Sequence, residues 1–167
     1  MIPAIATWSD VTEAAPELAA AVQRSFDAHI HKILATLRAD GSPRVSGQEM
    51  SFRGGDVWLG MMPDSRKARD LQSDPRLAVH SATVDPTMAG GDAKLSGRAV
   101  EIADQETFDW FMGQERDEKG EAPPQPFHLF RIDVDEIVLT TLGGDPPDHL
   151  VIETWRERRG VSRVERR

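Results

Sequence analysis

Cysteine is absent from the chain, and so is tyrosine. Without cysteine there is no disulfide framework, no thiolate metal site and no thiol nucleophile. No apolar run approaches the roughly eighteen residues that cross a bilayer, so no membrane association is expected. The opening stretch, MIPAIATWSDVTEAAPELAA, has no basic region ahead of an apolar run, so no secretory signal is expected. Together these absences point to a cytoplasmic protein. A basic excess is lacking too: 28 acidic against 20 basic residues give a formal charge of −8. A nucleic-acid partner is therefore not expected, because it would need a basic face to displace counterions. There is no GxGxxG and no strand–helix–strand alternation, which argues against a Rossmann domain. No HExxH or spaced carboxylate–histidine set points to a metal. Ser46-Gly47 and Ser96-Gly97 lack the flanking glycines of a nucleophile elbow.

What is present fits one domain spanning residues 1–167. Residues 10–31 read as an N-terminal helix capped by Asp10 or Thr12, with Leu18, Val22, Phe26 and Ile30 on one face. Strands follow at 33–38, 44–53 and 56–61, joined by Asp40-Gly41 and Gly54-Gly55 turns, and they predict an antiparallel meander. A short helix runs from Arg66 to Leu71, with Asp64 or Ser65 as its cap, and Asp74-Pro75 stops it. Strands resume at 76–82 and 93–102. A helix is expected at 104–118, with Phe108, Phe111 and Met112 facing inward. Closing strands are expected at 127–141, with a kink, and at 149–156. Residues 157–167 read as a basic tail. The fold class is mainly β: a six- to seven-stranded antiparallel barrel with peripheral helices, the barrel removing exposed strand edges.

The segment Asp64-Ser65-Arg66-Lys67-Ala68-Arg69-Asp70-Leu71 carries the chemistry. The first turn of a helix leaves backbone N–H groups unpaired and carries partial positive charge. Ser65 adds a neutral donor, Lys67 a point charge and Arg66 a bidentate fork, which together suit an anion such as phosphate. The competing reading is a solvated basic helix end paired with Asp64, Asp70 and Asp74. On the residues alone the two stand level.

The hairpin Thr36-Leu37-Arg38-Ala39-Asp40-Gly41-Ser42-Pro43-Arg44-Val45 resembles the pyridoxamine 5′-phosphate oxidase-like flavin-binding split-barrel superfamily. So do the turn Ser65-Arg66-Lys67-Ala68 and the segment Asp74-Pro75-Arg76-Leu77-Ala78, in that order. The likeness is good over residues 27–102 and weaker elsewhere. It implies an FMN-binding split β-barrel. Arg66 and Lys67 would grip the cofactor phosphate beside Ser65. Arg44, Val45 and Ser46 would line the ring and ribityl chain, and the backbone of Gly60 and Met61 would face the ring. Ile152-Glu153-Thr154-Trp155 resembles the family's late tryptophan strand, so Trp155 would stack near the ring of a partner subunit, with Arg163 or Arg166 at its polar edge. A core position is the equal alternative for Trp155.

The resemblance implies a homodimer and an oxidoreductase acting on a small molecule. The alternatives are a reductase using deazaflavin F420, or a flavin- or haem-binding protein without turnover. No side chain stands out as acid, base or nucleophile. The tail from Arg156 to Arg167 lacks the histidine of true pyridoxamine phosphate oxidases, so that activity is not expected. His29 and His31 read as helix-end residues, His80 as an interface residue, and His128 and His149 as exposed.

Overall fold

The computed structural model describes residues 6–83, 85–120 and 125–167. Trp8–Ala14 forms α1 and Pro16–Asp27 forms α2. The single helix expected over 10–31 is therefore two, ending at Asp27. Pro16 occupies the first turn of α2, where a missing N–H costs nothing, and Ala15 takes a non-helical φ of −146°. Thr7 caps α1 in a reciprocal box with Asp10, in place of Asp10 or Thr12. Leu18, Val22 and Phe26 are buried as their spacing predicts, whereas Ile30 lies beyond the helix and is 69% exposed.

Nine strands are seen among the described residues, more than the six or seven expected. They are β1 (His31–Leu37), β2 (Pro43–Glu49), β3 (Ser51–Arg53), β4 (Asp56–Met61), β5 (Arg76–His80), β6 (Asp92–Glu101), β7 (His128–Gly143), β8 (His149–Arg156) and β9 (Gly160–Arg166). Arg66–Ser73 forms α3 and Gln105–Lys119 forms α4. All ladders are antiparallel, in the order β2-β1-β5-β6-β7-β4-β3, with β8 and β9 extending from β7. The expected strand 44–53 breaks at Met50. Its first part pairs with β1 and its second with β4, so the first three strands are not one meander. Since β2 and β3 are the two ends of that order and only Met50 separates them, the sheet has to curl round without closing. This is the expected split barrel. Gln48 spans the split, its Nε2 donating to the Gly60 carbonyl at 2.9 Å.

The supposed basic tail is β9, which pairs with β8 along its full length, from Arg156↔Gly160 to Leu150↔Arg166. The kink expected in the long strand is a bulge: Gly97 faces Val134 and Ser96 faces Glu136, leaving Asp135 as the extra residue. A Cβ on Gly97 would lie 2.1 Å from the Asp133 carbonyl oxygen, so glycine is what lets the strands close at this point.

The barrel interior holds Leu34, Val57, Leu59, Val79, Leu95, Ile132 and Ile137, and the apolar face of α2 joins them. Trp155 belongs to the same cluster, at 4% exposure. A second, smaller cluster of Trp58, Phe111 and Leu129, with Ile102, Phe108 and Phe127 against it, fastens α4 to the outside of the barrel. No helix among the described residues is long and apolar enough to cross a membrane.

Candidate functional site

A cleft of about 1040 Å³ opens where β2, β4, α3 and α4 converge. Gly47, Gln48 and Glu49 supply one wall, Gly60 and Met61 with the turn through Ser65 another, and Lys67 reaches in from the first turn of α3. Residues 29–32, the end of the α2–β1 connection and the start of β1, line its far side. Trp58, Phe111 and Phe127 make an apolar wall.

Lys67 is half-buried, and its Nζ donates to the Gly47 carbonyl at 2.6 Å. Burial holds its ammonium below the usual lysine range. Among the described residues no carboxylate lies within ion-pair distance of it. The competing pairing with Asp64 or Asp70 is thus not what the structure shows. Asp64 meets Arg69 at 3.5 Å, and Asp70 meets Arg44 at 2.6 Å. Ser65 is the N-cap residue of α3 and lines the cleft, but its side chain makes no capping bond. The turn ahead of α3 is closed by the Ser65 N–H donating to the Met62 carbonyl at 3.0 Å.

The other residues singled out from the sequence divide. Gly60 and Met61 line the cleft, and the nearest foreign atom to an added Gly60 Cβ is Phe127 at 3.8 Å, so the wall is open there. Arg66 is exposed and is not among the lining residues. Arg44 turns away, toward α3. Its Nε donates to Asp70 Oδ2 at 2.6 Å, and the Thr36 hydroxyl donates to the same oxygen at 2.8 Å. Burial raises the Asp70 carboxyl, but these two bonds outweigh it and the net shift is downward. Val45 faces outward at 67% exposure, and the buried Ser46 Oγ has no hydrogen-bond partner. Trp155 is locked in the core, and Arg163 lies exposed on β9, bonded to Glu165 at 3.2 Å. Neither lines the cleft of its own chain.

The structure also gathers residues that the sequence did not single out. Lys32 is 4% exposed, its Nζ donates to the His29 and Ile30 carbonyls, and burial lowers its pKa against the pull of Asp27 and Glu49. Its cross-strand neighbour Gln48 keeps a buried Oε1 without a partner. Arg53 pairs with Glu115 at 2.7 Å, and Lys119 pairs with the same carboxylate at 2.9 Å, tying α4 to β3. Arg53 also lies 5.4 Å from the centroid of the Phe111 ring. His29 and His31 line the cleft rather than ending a helix. His128 and His149 are not the exposed residues expected: His128 bonds to Glu101 and Pro63, and His149 to Asp148. Sequence periodicity could mark Lys32 and Gln48 only as polar residues on an inward strand face. Nothing local signals the Arg53–Glu115 or His128–Glu101 contacts, which join distant parts of the chain. Among the described residues no group of three metal-ligating side chains is found.

Comparison with known structures places the fold. A pyridoxamine 5′-phosphate oxidase-related, FMN-binding protein from Nostoc punctiforme superposes with a TM-score of 0.63 at 15% identity, covering 92% of this chain and 96% of that one. ChuZ from Campylobacter jejuni gives 0.65 at 15% identity, over 89% of this chain and 63% of that one. HutZ, the heme storage protein of Vibrio cholerae, gives 0.56 at 21% identity, over 73% and 90%. No curated protein matches the sequence. Residues 18–141 match the family described as pyridoxamine 5′-phosphate oxidase, most of the barrel and the whole cleft-forming turn among them. The chain belongs to the pyridoxamine 5′-phosphate oxidase family.

Proposed function

We propose that the cleft receives a phosphate-bearing flavin, FMN first, and that the protein is a flavin-dependent oxidoreductase working as a homodimer on a small molecule. The observation that carries this reading is Lys67. A desolvated ammonium with no carboxylate partner among the described residues, at the start of a helix and at the mouth of a large cleft, is relieved by an anion. The fit extends beyond the phosphate. The cleft sits at the upper end of small-molecule sites, which run to about 1,000 Å³. The position of Gly47 is open, with nothing within 4 Å of an added Cβ, so a flat ring can approach the β2 backbone. Ser65 and the start of α3 supply donors, and Arg66 would have to turn in from its exposed position to join them. Arg44 acts at one remove, holding α3 through Asp70. When bound, the flavin supplies the hydride or electron transfer, and the protein supplies orientation and electrostatics.

The outward sheet face supports the dimer. Val45, Ala35 and Ala78 stand in register across β2, β1 and β5, and Ile33 lies beside them at 45% exposure. This apolar row runs through Gly47 to the rim of the cleft, so a second copy packed on it would complete the site. The FMN-binding description of the Nostoc punctiforme relative favours FMN. Haem is the second reading, because His29 and His31 both line the cleft and imidazole is a haem ligand.

The absorbance spectrum of the purified protein separates FMN, deazaflavin F420 and haem. Calorimetry then tests the grip. Lys67→Ala should raise the FMN dissociation constant about ten- to a hundredfold, the worth of one charge-assisted bond. Binding of riboflavin, which has no phosphate, should be nearly unchanged. Unaltered FMN affinity in Lys67→Ala removes the turn from the site. Pyridoxamine phosphate should not be turned over at an enzymatic rate, on the order of one per second.

A further inference from the structure

His128 opens β7 opposite Met61, next to the turn that precedes α3. Its Nε2 lies 2.9 Å from the Pro63 carbonyl oxygen, and its Nδ1 lies 2.7 Å from Glu101 Oε1 on β6. Both neighbours are acceptors. A carbonyl has no proton to give, and the Glu101 carboxylate already accepts from Gln72 Nε2 on α3 at 3.1 and 3.0 Å. A neutral imidazole has one N–H and satisfies one of the two contacts. Only the imidazolium donates to both. The chain Gln72–Glu101–His128–Pro63 therefore grips the anion-binding turn from two sides: at the backbone just before Asp64, and at the last turn of the helix that begins with Arg66.

We propose that His128 is a positioning residue whose proton holds the Pro63–Lys67 turn in its anion-receiving shape, so that cofactor affinity falls as His128 deprotonates. The proposal rests on the anion-binding reading of the turn and adds a regulator that touches no cofactor atom. The groups facing the ring are Glu101 from β6, Asp64 from the turn, the neutral Gln72 behind Glu101, and the stacked ring of Phe130 at 6.2 Å. Both titratable neighbours are anionic and favour the cation. The hydrogen bonds to Glu101 and Pro63 raise the pKa above its ordinary 6.5. The sign follows from that. The clamp contributes fully below about pH 6.5 and is lost as pH rises through the higher folded value. Loss of the proton also removes a positive charge beside the turn that would hold the phosphate, so both effects act in one direction.

The test needs two readouts. Amide resonances of Asp64, Ser65, Arg66 and Lys67 are followed from about pH 5 to pH 8 and beyond, across the range in which histidine titrates. They should move with the His128 ring in the wild type and stay flat in His128→Gln. In Glu101→Gln, which removes the main anionic partner, the same transition should shift to lower pH. Flat wild-type amides, or an unshifted transition in Glu101→Gln, overturn the proposal. FMN affinity is measured in parallel, as the ratio of wild type to His128→Gln, which cancels ionisation of the ligand phosphate. His128→Gln should bind roughly fivefold more weakly at low pH, the lower range for coupled sites, and equal the wild type at high pH. A ratio that does not change with pH overturns the coupling. Lys67→Ala keeps the two readings apart: titrating amides with FMN binding indifferent to Lys67 would support the clamp and defeat the cofactor assignment.

Discussion

Arg44 ties β2 to α3 behind the cleft. The family resemblance implies a ring-lining role for it, and in the structure its guanidinium meets Asp70, a carboxylate 7% exposed on α3. Arg44→Ala should lower folding stability by about 2 kcal/mol, the scale of a hydrogen bond to a charged group, because Asp70 would keep only the Thr36 hydroxyl. Adding Asp70→Asn should recover part of the loss, and chemical denaturation of the two single variants and the double variant measures the coupling. The pH dependence is that of a depressed carboxylate: the contribution is present above about pH 3.8 and is lost as pH falls through the lower folded value. Gly97 is a harder constraint. Gly97→Ala would place a methyl 2.1 Å from a backbone oxygen, and backbone cannot step aside as a side chain can. A loss of about 3 kcal/mol or more is expected in denaturant melts, the upper range for overpacking. Wild-type stability in that variant would mean that the bulge is not built as described.

At the scale of elements, β9 separates two readings of the same residues. A solvated tail can be cut without effect. A strand with a full ladder to β8 cannot, and deleting residues 160–167 should lower the melting temperature by several degrees in calorimetry. The sequence hid this strand for physical reasons. All seven of its residues are exposed, so neither face shows the alternation that burial imposes. Its hairpin places Arg158, as well as Gly160, at positive φ, so one of its two left-handed positions carries no glycine or asparagine signal. Elements with one buried face were legible: β8 has the bounds expected of it, α4 is displaced by one residue at each end, and the Asp40-Gly41 hairpin stands where it was expected. The break at Met50 was not legible, because the change of strand partner there is decided by the closure of the sheet and not by any local residue. The same division holds in the site. Ser65 and Lys67 were readable from a local motif, whereas Glu115 and His128 are placed through contacts between distant segments.

The whole molecule presents one face to water that its composition does not suit. Val45→Lys, at 67% exposure, should cost the fold little and should turn the proposed dimer into a monomer in light scattering. The cofactor should be lost in the same step if the second copy completes the cleft. A wild-type monomer that retains its cofactor would sink the shared-site arrangement. Another consequence lies with α4. It rests on its own small aromatic cluster and on the Arg53–Glu115 pair, apart from the core that holds the barrel. Breaking those contacts exposes Trp58, Phe111 and Phe127 while β1, β5, β6 and β7 keep every ladder bond. Opening of this helix is therefore a separate event from global unfolding, with a lower free energy of its own. In deuterium exchange the α4 amides should exchange well before those of β6 and β7, and a bound ligand should slow α4 and the turn before α3 without slowing β6 and β7. A molecule too large for the resting mouth of the cleft would enter at the frequency with which this wall lifts.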